Sequence, residues 1–221
     1  PAHGKSTFLL NVIANIAILH GTKTFMYVPE NEQHLLEKMH RIWDGREGFD
    51  RFCKEQCFVQ SAIPDHFSDE PQDLPWVLSR AVAAIEQDRC DVLLIDPWNE
   101  LEFAKHPAMS MTDYIRQCLK YLKMFCRSQR VSVILVAHPT KAVAEHGGRT
   151  PLLSDIEGSM AWYSKSDNGL IVQREFNGPA KTSKVISAKV RERGAGRIGV
   201  CHFFVDEESE RFTPQPGAVS L

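Results

Sequence analysis

Short runs of Val, Ile, Leu and Phe punctuate the chain at Thr24–Val28, Phe58–Ser61, Asp91–Asp96, Val131–His138, Gly169–Arg174, Ser183–Val190 and Val200–Asp206. Most are continuous apolar runs rather than strict alternations, the pattern of strands buried on both faces. Helical stretches separate the early ones. Ser6–Leu19 is apolar almost all round, which predicts a buried helix. Leu74–Gln87 places Leu74, Val77, Leu78, Ala81, Val82 and Ile85 at a helical period, and Tyr114–Phe125 repeats the pattern with Ile115, Leu119 and Leu122. Strands alternating with helices predict crossover units and a mainly parallel central sheet flanked by helices, an α/β fold. The last three runs leave no room for long helices between them, so hairpins or an antiparallel extension are expected there. Residues 139–155 are rich in Gly, Pro and polar side chains and read as a long functional or mobile loop. Residues 213–221 are expected to fray. The sequence holds no internal repeat and no low-complexity segment.

Composition narrows the class. The chain has 221 residues, enough for one domain of ordinary size. Its 43% hydrophobic and 24% charged residues exclude a disordered or fibrous chain. The longest apolar run, Phe8–Leu19, is broken by Asn11 and Asn15 and falls short of the ~18 residues a membrane span needs. No signal peptide is readable, and no membrane association is expected. A net charge of −2 does not point to nucleic acid, but Lys141–Arg197 carries ten Lys/Arg against six Asp/Glu, enough for a local phosphate-binding face. Six cysteines are scattered, with Cys53 and Cys57 the only close pair and no second pair to complete a zinc set. Reduced thiols in a cytoplasmic protein are expected.

Candidate chemistry begins at the first residues. Gly4-Lys5-Ser6-Thr7, running straight into the apolar helix, matches the end of the phosphate-loop pattern G-x-x-x-x-G-K-[ST]. The first Gly of that pattern would lie two residues before Pro1, so the leading strand and the start of the loop are expected to be missing, with Ala2 and His3 forming the loop's tip. Gly4 lets backbone N–H groups close around phosphate oxygens. The helix N-terminus adds positive potential, Lys5 bridges the terminal phosphates, and Ser6 holds magnesium. The strand ends then add polar groups: Pro29-Glu30-Asn31-Glu32, Asp96-Pro97-Trp98-Asn99-Glu100 and His138-Pro139-Thr140-Lys141. In a parallel sheet these ends share one edge, where ligands bind. Asp96 fits the acid that orients magnesium, partly through water, and Glu30 the base that polarises an attacking water, with Glu32 and Glu100 as rivals. His138 fits a γ-phosphate contact, or alternatively a plain strand-end cap.

Gly4-Lys5-Ser6-Thr7, PEN at 29–31, DPWNE at 96–100, AHPTK at 137–141 and DIEGSMAWYSKSDNG at 155–169 together resemble the Twinkle-like primase–helicases of phages, bacteria and organelles. These belong to the ring-helicase branch of the RecA-like P-loop NTPases, with DnaB a more distant relative. The resemblance runs from the phosphate loop to Val190. It implies one RecA-like ATPase domain over residues 1–221, with ATP and Mg2+ bound by His3, Gly4, Lys5, Ser6, Thr7 and Asp96. Glu30 matches the catalytic glutamate and His138 the phosphate sensor. Lys141 and Arg149 match the segment facing single-stranded DNA in the pore of a homo-hexamer. Lys189-Val190-Arg191 matches the site of a lysine and an arginine finger directed at a neighbouring subunit's nucleotide. A fused primase and a bacterial or phage-infected cytoplasm fit the same family.

Alternatives accompany these expectations. Lys189–Gly194 reads equally as an edge strand blunted with charges, and Arg193 competes with Arg191 for the finger role. Trp98 and Trp162 are either base-stacking platforms or core residues. A RecA-like ATPase without unwinding activity, recombinase-like or regulatory, is the alternative function. A decayed, non-catalytic nucleotide-binding module is a third, opposed by the joint presence of Lys5, Glu30, Asp96 and His138.

Overall fold

The computed structural model describes residues 4–29, 32–44, 46–60, 71–140, 150–156, 160–175, 182–192 and 194–220. Helix α1 (Lys5–His20) leads into β1 (Thr24–Tyr27). Helices α2 (Glu32–Trp43) and α3 (Phe49–Glu55) precede β2 (Cys57–Gln60), and α4 (Leu74–Asp88) precedes β3 (Val92–Ile95). Helix α5 (Met111–Gln129) leads into β4 (Ser132–Leu135). A short helix α6 (Ala161–Lys165) then opens the antiparallel run β5 (Asn168–Glu175), β6 (Thr182–Val190), β7 (Gly199–Val205) and β8 (Phe212–Ser220). None of the described helices is long and apolar enough to cross a membrane.

The first four strands form one parallel sheet in the order β2-β1-β3-β4. Side chains alternate across it, so the apolar runs supply two cores. Phe25, Tyr27, Leu93 and Ile95 face α4 and α5, where Val77, Ala81, Ile115, Leu119 and Leu122 pack. Met26, Val28 and Leu94 face the other layer, where Leu10, Ile13, Ala14 and Ala17 of α1 meet Leu35, Met39 and Ile42 of α2. Both faces being covered explains why these strands read as unbroken apolar runs. The late strands form a separate antiparallel sheet, β5-β6-β7-β8. The expected fold class, a mainly parallel sheet flanked by helices with late antiparallel strands, is the one observed.

Two features differ from the sequence reading. Helices α2 and α3 occupy a stretch given no element, although Leu35, Met39, Ile42 and Trp43 line one buried face of α2. Residues expected to fray form β8, paired to β7. Pro214 and Pro216 disguised that strand; at an edge, an amide nitrogen facing away from the ladder needs no hydrogen, so proline is tolerated. The pairing skips from Pro214 to Val219 opposite Phe203 and Cys201, a bulge that takes up Gly217.

Candidate active site

Parallel pairing aligns Tyr27 with Ile95 and Ile95 with Leu135, so the chain leaves β1, β3 and β4 at one level. Short backbone hydrogen bonds tie these exits together. Asp96 N–H donates to Tyr27 O (3.1 Å), Val136 N–H to Ile95 O (2.9 Å) and Trp98 N–H to Val136 O (2.7 Å). The Asp96–Pro97 peptide is cis. The strand order reverses direction between β1 and β3, the position where open α/β sheets hold ligands.

Helix α1 begins at this edge. Gly4 caps it in the left-handed region (φ 75°), a conformation a side chain would strain, and a Cβ there would lie 3.7 Å from the Phe212 ring. No side chain caps the helix and its first turn carries no acid. The first-turn N–H groups are therefore available to an anion. Lys5 and Ser6 project from that turn to the other strand ends. Lys5 Nζ lies 3.3 Å from His138 Nδ1. The Ser6 hydroxyl hydrogen-bonds the Asp96 carboxylate. Asp96 itself is only 7% exposed.

Burial sets the electrostatics. It pushes the Asp96 carboxyl up, against the Ser6 hydrogen bond and the charges of Lys5 and Lys38. It pulls the Lys5 ammonium down, opposed by Asp96. His138 is lowered by burial and then by the Lys5 charge, so the imidazole is neutral at pH 7. An ammonium has no acceptor, so Lys5 donates to Nδ1 and the His138 proton resides on Nε2. That leaves Nε2–H as a donor.

Of the residues expected at this site, Gly4, Lys5, Ser6, Asp96 and His138 converge at the sheet edge. Thr7 lines an adjoining polar cleft of about 390 Å³ with Gly4, Lys38, Arg174 and Phe212. His3, Glu30, Lys141, Arg149 and Arg193 lie outside the described residues, as does the side chain of Glu32. Glu100 is exposed on a short 3-10 turn, Trp98–Glu100. Arg191 is not joined to the cluster: its described partners are Ser164 O, Ser166 O and Asp167. Trp98 and Trp162 are 2% and 6% exposed and pack edge-to-face at 5.5 Å, which removes them as base-stacking platforms.

Three contributors escaped the sequence reading. Asn99 Oδ1 accepts from His138 N–H (3.1 Å) and so fixes the sensor's backbone; it lay inside the DPWNE motif with no role assigned. Lys38 comes from the overlooked α2. Asn11 had registered only as a break in an apolar run. Its side chain donates to Thr7 O (2.8 Å) and Glu210 O (3.0 Å) and accepts from Phe212 N–H (3.1 Å), clipping the β7–β8 turn to the helix that begins the site.

Comparisons with known proteins agree with this geometry. No family model matches the chain. The Twinkle homolog protein, chloroplastic/mitochondrial, of Arabidopsis thaliana is 36% identical over 151 residues, 67% of this chain. The matched region spans about a fifth (21%) of that relative's own length. Among solved structures, the ATPase domain of a DnaB-like helicase superposes with a TM-score of 0.76, covering 98% of this chain and 82% of that one. Identity there is 19%, so this likeness concerns the fold. By sequence and fold together, the chain is a Twinkle-like domain built on the RecA-like fold of helicase ATPases.

Proposed function

We propose that the chain is the motor domain of an ATP-driven DNA helicase that works as a ring, homo-hexameric as in the related family, in the cytoplasm of a bacterial or phage-infected cell. The observation that carries this reading is the convergence of Lys5, Ser6, Asp96 and His138 at the edge where α1 begins. The uncapped first turn of α1 and Lys5 hold the β- and γ-phosphates of ATP. Ser6 and Asp96 offer a hydroxyl and a carboxylate in contact, hard oxygen donors that suit Mg2+. The ion, bound there with substrate phosphates and water, neutralises charge on the transferring phosphoryl group. Glu30 follows β1, the neighbour of the strand that ends at Asp96, and takes the part of the base for the attacking water. His138 donates Nε2–H to the γ-phosphate and, through Pro139 and Thr140, passes its presence to the segment with Lys141 and Arg149, which contacts single-stranded DNA. Arg191 serves the nucleotide of an adjacent subunit.

Two assays on the intact protein test the reading. ATP hydrolysis is expected to rise with added single-stranded DNA, and a forked duplex is expected to be unwound with ATP but not with a non-hydrolysable analogue. Hydrolysis without strand displacement would favour a RecA-like ATPase of another kind. No nucleotide binding would end the reading altogether.

A further inference from the structure

The pairing of β5 with β6 puts Asn168 opposite Val190, so Asp167 and Arg191 face each other one step beyond the ladder. Arg191 N–H donates to Asp167 O at 2.9 Å and continues the pairing. Opposed residues on an antiparallel pair bring their side chains together. Here they are of opposite charge, and Arg191 Nε meets Asp167 Oδ1 at 3.1 Å. Helix α6 ends beside them. Its last turn leaves carbonyls without intrahelical partners, and Arg191 Nη2 donates to Ser164 O (2.8 Å) and Ser166 O (3.1 Å).

A guanidinium presents five N–H groups in a rigid plane. Three acceptors hold its Nε and Nη2 edge, while Nη1, with two N–H groups, meets no acceptor among the described residues. Lys123 Nζ donates to the same Asp167 oxygen (2.8 Å). Lys189 Nζ donates to Tyr163 O and sits 4.8 Å from the centre of the Tyr163 ring. One carboxylate is thus shared among three cations, a surplus suited to an anion. The Lys123 hydrogen bond, first among the causes, holds the Asp167 carboxyl below the usual range, so it is ionised at neutral pH. The Asp167 and Arg191 side chains are 55% and 40% exposed, and ion pairs that exposed add little to stability. What the bridge fixes is direction.

We propose that Asp167 is a positioning residue: with the carbonyls of Ser164 and Ser166 it cradles Arg191 so that the Nη1 edge is free to take a γ-phosphate oxygen of a nucleotide bound by an adjacent copy of the chain. This rests on the finger reading of Arg191 given above. Displacing a catalytic group by about 1 Å costs on the order of a hundredfold in rate. With two carbonyl anchors left, Asp167→Asn is expected to lower kcat for ATP roughly ten- to a hundredfold, with KM and the melting temperature unchanged.

The test compares Asp167→Asn, Arg191→Ala and the double variant in the intact protein, and mixes Asp167→Asn with Glu30→Gln protein. The double variant is expected to match Arg191→Ala. Mixed rings are expected to regain turnover, because some interfaces then join an intact Glu30 to an intact Asp167–Arg191 pair. Normal kcat in Asp167→Asn beside a low kcat in Arg191→Ala overturns the cradle and spares the finger. Normal kcat in Arg191→Ala removes the finger, and the cradle with it. A further loss in the double variant, a raised KM at unchanged kcat, or no recovery on mixing each overturns the cradle, including the case in which Asp167→Asn acts only through folding.

Discussion

Replacing Asn11 with alanine isolates the link between the nucleotide edge and the late sheet. Asn11 is 6% exposed and makes three hydrogen bonds. Thr7 O keeps its helical partner, so its loss is minor. Glu210 O and Phe212 N–H lose their partners across the fold. An unsatisfied buried group costs about 1–3 kcal/mol. Both residues are half-buried, so water relieves part of this and the low end applies, about 3 kcal/mol for the pair. Alanine's better helix propensity returns roughly 0.6 kcal/mol. The net expectation is a loss of about 2–3 kcal/mol. Urea unfolding should show a lower midpoint with an unchanged slope. Asn11→Asp keeps the acceptor for Phe212 N–H but sets a carboxylate oxygen against Glu210 O, so it should be at least as damaging. A loss under about 1 kcal/mol for Asn11→Ala would refute the clip as a structural tie.

Lys5→Ala should abolish nucleotide binding by titration calorimetry, whereas Glu30→Gln should bind ATP and fail to turn it over; normal turnover in Glu30→Gln would move the base to Glu32 or Glu100. Asp96→Asn should lose ATP turnover yet raise the melting temperature of the nucleotide-free protein at pH 7. The sign follows from burial holding the folded-state pKa of Asp96 above its unfolded value, so ionised Asp96 disfavours the fold above that pKa and the penalty lifts as pH falls through it; a lower melting temperature at pH 7 would contradict this. Gly169→Ala sets a Cβ 2.2 Å from Leu153 Cδ1, so melting should reveal a loss of about 1–3 kcal/mol that Leu153→Ala largely relieves; additive losses would refute the close approach.

Legibility in the sequence followed the range of the interactions involved. The parallel strands announced themselves because two-sided burial admits only apolar residues, and Asp96 and His138 stood out as the first polar groups after such runs. Their meeting required only that the strands be parallel and neighbouring. Helix α2 was harder to see. Its apolar positions, Leu35, Met39, Ile42 and Trp43, are spread among charged residues, and its place follows from packing on α1 rather than from local propensity. Strand β8 was hidden by prolines that only an edge position excuses.

The polar side chains that act at long range were the least legible. Asn11 and Glu210 are 199 residues apart, and Asn99 and His138 are 39 apart. Nothing in a local window distinguishes an asparagine that clips two sheets from one that interrupts a helix. Asp167 is different in kind, because its partner is fixed by strand register, and register depends on the position of a bulge between Gly169 and Leu170. A one-residue slip there would turn Asp167 away from Arg191 and leave the finger unheld. Gly169, whose missing Cβ lets β5 approach Leu153, sits on the near side of that bulge. A small residue at one strand position, with no chemistry of its own, therefore helps decide whether an arginine on the partner strand presents a fixed edge or a mobile one.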